Sequence, residues 1–153
     1  MLEWLVRRRE EYFNAHHRLR CCRIDEIRAQ VSRDGYWKYF FHPGNSYYRE
    51  DIIGKWVYHD TPEKLEVVSL DLLVVMAEGL SSVMKYKRSL NNPDGPFGHL
   101  WPPLCVYSTE GCKSRLAQRI KELGLKDIYW QSDKATIKLH QGLREQGISS
   151  DSY

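Results

Sequence analysis

The 153-residue chain lacks any apolar run near the ~18 residues that a membrane span needs; even residues 70–80 are interrupted by Asp71 and Glu78. No apolar signal segment opens it. Its four cysteines, Cys21, Cys22, Cys105 and Cys112, have neither zinc-site nor redox-motif spacing, so no disulfide framework is needed. A soluble protein in a reducing, cytoplasmic setting, with no cofactor and no membrane attachment, is the expectation. His16, His17, Cys21 and Cys22 include metal-ligand types, and His17 and Cys21 would sit one turn apart on a helix. However, adjacent residues point to different helix faces and no second cluster completes a site, so no metal is expected. A glycine-rich phosphate loop between a strand and a helix is also missing, which argues against a parallel doubly wound fold. There is no internal repeat.

Net charge is low as well. At +3 it does not by itself argue for nucleic acid, although the basic excess is uneven. Residues 81–153 carry 11 Lys/Arg against 7 Asp/Glu, whereas residues 36–80 carry 4 against 7. Such an excess suits a phosphate-bearing partner, and lysines on solvated helix faces would give the same count.

What the chain does have is length for one domain with its own core. Residues 53–58 are β-branched and aromatic, as a strand is. Asp60-Thr61-Pro62-Glu63 then combines an N-cap acceptor, a proline that wastes no donor, and an acid at the positive helix end. Leu65, Val68, Leu72 and Val75 recur at helical spacing up to Gly79, and residues 81–88 form another strand. Alternation in residues 36–42 puts Trp37, Tyr39 and Phe41 on one face and Tyr36, Lys38, Phe40 and His42 on the other. Residues 91–98 are a loop, long enough to rim a site. Residues 104–108 are a strand, followed by a helix capped by Ser108 or Thr109 and ending at Leu123. Residues 127–131 are a strand, and residues 132–147 are ambiguous between strand and helix. Residues 2–20 and 24–33 read as helices; the first, with Arg7-Arg8-Arg9 beside Glu10-Glu11, could pack on a protein partner.

The expected organisation is therefore an N-terminal helical extension over residues 1–35, an α+β core over 36–147 and a tail over 148–153. The fold class is α+β: a curved, antiparallel-rich sheet of about five or six strands with helices packed on one face.

Gly54-Lys55-Trp56, Val75-Met76-Ala77-Glu78-Gly79, Val83-Met84-Lys85 and Leu104-Cys105-Val106-Tyr107-Ser108 resemble motifs of the basophilic-leukaemia-expressed protein family. A weaker match runs on through Gly124-Leu125-Lys126, Tyr129 and Asp133. The resemblance implies a fold similar to the cap-binding translation initiation factor 4E. It also implies a distant likeness to phosphothreonine lyases, which eliminate phosphate with a lysine base, a histidine acid and cationic phosphate holders. Where that family carries a lysine ahead of Asp133, this chain has Gln131.

Two functions follow as expectations. In one, the protein is a binding or interaction module for a phosphate-bearing ligand, a phosphopeptide or a nucleotide, in a basic, aromatic-lined cleft. There two of Trp37, Trp56 and Trp101 would sandwich a base while lysines meet phosphate. In the other, it is a phospholyase-like enzyme with Lys85 or Lys87 as base, His42 as acid, and Lys38, Lys55 and Arg144 holding phosphate. Both need the strand around Gly54 and the strand ending at Arg88 to lie side by side, with their cations in a common hollow.

Overall fold

The computed structural model describes residues 19–45 and 51–134. Six strands form one open, curved, antiparallel sheet. They are β1 (Arg28–Val31), β2 (Trp37–Phe41), β3 (Ile52–His59), β4 (Val83–Lys87), β5 (Pro103–Thr109) and β6 (Tyr129–Ser132), in the order β1-β2-β4-β5-β3-β6. Among the described residues two helices, α1 (Pro62–Ala77) and α2 (Lys113–Glu122), cover one face. The α+β class, the antiparallel sheet and the one-sided helical layer agree with the sequence reading. No helix among the described residues is long and apolar enough to cross a membrane.

Helix α1 starts where its residues dictate. The Thr61 hydroxyl accepts from the Lys64 amide at 3.3 Å, and Asp60 accepts from the Thr61 amide at 2.8 Å. The Tyr58 hydroxyl donates to Asp60 at 2.5 Å, tying the cap to β3. At the other end Gly79 takes φ +84°, and the amides of Gly79 and Leu80 return to Met76 and Val75. A Cβ there would come within 2.1 Å of the Leu19 carbonyl oxygen, because Leu19 donates its amide to Gly79 and lays the incoming chain across the turn.

The core lies between sheet and helices. Leu65, Leu72, Val75 and Met76 of α1 and Leu116 and Ile120 of α2 are buried against Phe40, Met84, Tyr86, Leu104 and Val106. These sheet residues are alternate positions of β2, β4 and β5, as a strand's two-residue period requires.

Three expectations are corrected. Residues 24–33 are not a helix: after a single 3₁₀ turn at Ile24–Glu26 they become β1, paired with β2 from Arg28↔Phe41 to Val31↔Lys38. Helix-favouring Ala29 and Gln30 are overruled by the open edge of β2, so the sheet begins before residue 36. Neither Ser108 nor Thr109 caps α2, whose N-cap is Cys112 without a side-chain bond. Finally, β3 and β4 do not lie side by side, because β5 runs between them. The expected N-terminal helix up to residue 18, the ambiguous segment from residue 135 onward and the tail lie outside the described residues.

Candidate functional site

Among the described residues no helix lies on the sheet's other face, and the pairing register says which side chains share it. One row across the sheet reads Tyr39, Lys85, Cys105, Val57, Tyr129. Alternation adds Trp37 and Phe41 on β2, Lys87 on β4, Tyr107 on β5, and Lys55 and Gln131 on the facing pair β3 and β6. Lys55 and Lys85 thus reach the same face although β5 separates their strands. Sheet pleat, not strand adjacency, unites them.

Lys85 is the centre of this arrangement. Its Nζ lies 4.1 Å from the Trp37 ring centroid and 5.9 Å from that of Tyr39. Lys55 Nζ stands 5.6 Å from the Tyr107 ring centroid, and the residue is only 6% exposed. Among the described residues neither ammonium has an ion pair or a hydrogen bond; each stands over aromatic rings. Burial lowers the Lys85 pKa from its ordinary value; the Cys105 thiol opposes the shift and the Lys55 charge adds to it. Cys105 shows the converse, with burial pushing its thiol up and both lysines pulling it down. Burial likewise raises the Tyr107 phenol.

Lys85 opens onto a hollow of about 460 Å³ walled by Tyr39, Phe41 and Tyr107, with Asn45 and Asp133 as polar members. This is the size range of small-molecule sites. Two buried acceptors in this region have no hydrogen-bond partner, Oδ1 of Asn45 in the hollow wall and Oε1 of Gln131 beside Lys55. Buried acceptors are normally satisfied, so a donor from a ligand would relieve both.

The other expected site residues are not brought here. Lys38 belongs to the helix-covered face, where its Nζ stands 5.4 Å from the Phe40 centroid and the side chain borders a groove with Glu63 and Glu66 of α1. His42 follows the same alternation and is buried. Its Nε2–H donates to the Arg20 carbonyl at 2.8 Å, and its Nδ1 accepts from the Gly44 amide at 2.9 Å. Both nitrogens are therefore committed to the backbone, and burial lowers the ring's pKa. Lys87 is on the free face but buried, its Nζ donating to Asn91 Oδ1 at 2.9 Å. Asn91 in turn donates to the carbonyls of Phe97, Leu100 and Trp101, so this lysine anchors the loop. Trp56 points the opposite way from Trp37, donating Nε1–H to the Lys113 carbonyl at 3.0 Å and packing edge-on against Trp130. Trp101 is 53% exposed on the loop, with no ring contact to Trp37 among the described residues. Arg144 lies outside the described residues.

Tyr39, Tyr107, Asn45 and Asp133 were not anticipated as wall residues. For the two tyrosines a signal existed, since strand alternation puts Tyr39 with Trp37 and Tyr107 with Cys105. For Asn45 and Asp133 there was none, because loop residues and strand ends carry no period.

Among the described residues no group of three or more His, Cys, Asp or Glu is arranged to hold a metal. Comparisons with family models, with curated proteins and with solved structures return no match to this chain.

Proposed function

We propose that the face of the sheet opposite α1 and α2 binds a small ligand in which an anionic group, most simply a phosphate, is joined to a flat or apolar part. The carrying observation is that Lys55, buried, and Lys85, half-buried, share this face, and that among the described residues no carboxylate is paired to either. Holding unpaired ammonium groups away from water costs free energy, and an incoming anion recovers it. Trp37, Tyr39 and Tyr107 supply faces on which the rest of the ligand stacks.

A binding module is favoured over a phospholyase. Elimination requires an acid within reach of the leaving oxygen, and the His42 nitrogens are both occupied by backbone on the far face. A sandwich of a base between Trp37 and Trp56 is also disfavoured, since the two face opposite ways. One indole beside tyrosines remains as the stacking surface. The test is calorimetric titration of the full chain with inorganic phosphate and phenyl phosphate. Saturable binding, tighter for the aromatic ester and lost on Lys85→Met, is expected; equal heats for wild type and variant would contradict the reading.

A further inference from the structure

The groups around Lys85 bear on reactivity as well as on charge. An amine becomes a nucleophile when it is removed from water, left without a carboxylate and placed beside a second cation. All three conditions meet at Lys85. The residue is half-buried, it has no ion pair among the described residues, and Lys55 stands close enough on the same face for its charge to be felt. The Nζ is not sealed in, because Lys85 borders the open hollow together with Tyr39, Tyr107 and Asp133. The indole of Trp37 favours the ammonium form and so acts against the desolvation.

We infer that Lys85 is a nucleophilic lysine that forms an imine with a small aldehyde or ketone carrying an anionic group, the anion lying toward Lys55. The inference rests on the anion-binding reading above and adds a covalent step to it. The Lys85 Nζ lone pair attacks the carbonyl carbon, and the carbonyl π pair moves to oxygen, which takes up a proton. Nitrogen loses a proton in return, which leaves a carbinolamine. Its hydroxyl takes up a second proton and departs as water while the nitrogen lone pair closes the C=N bond and nitrogen sheds its second proton. The two protons lost by nitrogen match the two gained by oxygen, and no oxidant or reductant enters. Asp133, in the wall of the same hollow, is the acid–base group at hand. Lys55 does not line the hollow that Lys85 borders, so it is not the amine that meets the carbonyl, and it acts on the bound anion through its charge from the same face.

The test exposes the intact chain to low, equal concentrations of pyridoxal 5′-phosphate or pyridoxal, reduces any imine with borohydride and maps modified lysines by peptide mass spectrometry. Expected is reductive labelling of Lys85 several-fold faster than of exposed Lys64, Lys121 and Lys126. The phosphorylated aldehyde should react faster than the neutral one, inorganic phosphate should protect, and Lys85→Arg should abolish the adduct. Labelling spread over the lysines according to their exposure would overturn the inference. If phosphate binds by calorimetry while Lys85 labels no faster than Lys64, the covalent step falls and the anion reading stands. If both aldehydes label Lys85 selectively and equally, without phosphate protection, the anion reading and the anionic ligand class fall while the reactive amine stands. Because the main comparison is between lysines of one wild-type molecule, it does not depend on any variant folding.

Discussion

The Lys85 ammonium lies 4.1 Å from the centre of the Trp37 indole, on the face of the sheet opposite helices α1 and α2. That contact makes Trp37 a reporter of whatever Lys85 binds, because an anion that draws the ammonium off the ring changes the indole's surroundings. Phosphate or phenyl phosphate should therefore alter tryptophan emission, and Trp37→Phe should remove the change while leaving most of the affinity. Lys85→Met should weaken binding by about 1.5–3 kcal/mol, the worth of a hydrogen bond to a charged group, or ~10–150-fold in Kd.

Lys55 and Lys87 should behave oppositely although both are buried lysines on the same face. Lys55 has no hydrogen bond or ion pair among the described residues, so Lys55→Met should leave stability unchanged or raise it by up to about 2 kcal/mol while lowering anion affinity. Lys87→Met takes the donor from Asn91 Oδ1 and loosens the loop that Asn91 holds, at a cost of about 1–3 kcal/mol. Urea unfolding of the two variants, read by the midpoint at constant slope, separates the cases.

Legibility in the sequence divided along physical lines. Local rules carried the reading at the Asp60-Thr61-Pro62 start of α1, its Gly79 stop and the two-faced alternation of β2, though not at the start of α2, where neither Ser108 nor Thr109 is the cap. It failed at residues 24–33, where a distant partner strand outweighed local preference, and at the order of β3, β5 and β4, which no local signal encodes. The candidate site followed the same division. Lys55 and Lys85 were joined on the expectation that their strands are neighbours, whereas the registers of β5 with β4 and with β3 are what put them on one face; Lys38 and His42 were wrongly brought to that face. Their own alternation had already set them apart from Trp37 and Tyr39, and it is β2–β4 register, Lys38↔Tyr86, that decides the matter.

Stability should fall on acidification through the two histidines. Burial lowers the pKa of His42 and of His59 from the ordinary 6.5, so the unfolded chain binds protons first as pH drops below about 6.5. The stabilisation is complete above that value and is lost progressively as pH falls through the folded-state pKa values. His59 has its own constraint, since its Nδ1–H donates to the Trp101 carbonyl at 2.7 Å while its Nε2 accepts from the Tyr129 hydroxyl at 2.6 Å. Thermal melts between pH 7.5 and about pH 5 should show a falling Tm, and a shallower fall in His42→Gln. A Tm that is flat over this range, or that rises as pH drops, would refute the assignment.

Gly79→Ala should be among the more damaging single substitutions away from the free face. It forces a left-handed φ of +84° on a residue with a Cβ and drives that carbon into the Leu19 carbonyl. A loss of about 2 kcal/mol or more is expected. Lys38→Ala, by contrast, should leave phosphate binding unaltered, because its side chain is on the helix side of the sheet.

The most direct measurement is an amide NMR titration of the full chain with inorganic phosphate. The account predicts saturable shifts concentrated at Tyr39, Lys85, Cys105 and Tyr107, with α1 and the amides of Lys38 and His42 nearly still. Shifts centred on α2 and the cations of its outer surface, or none up to millimolar phosphate, would contradict it.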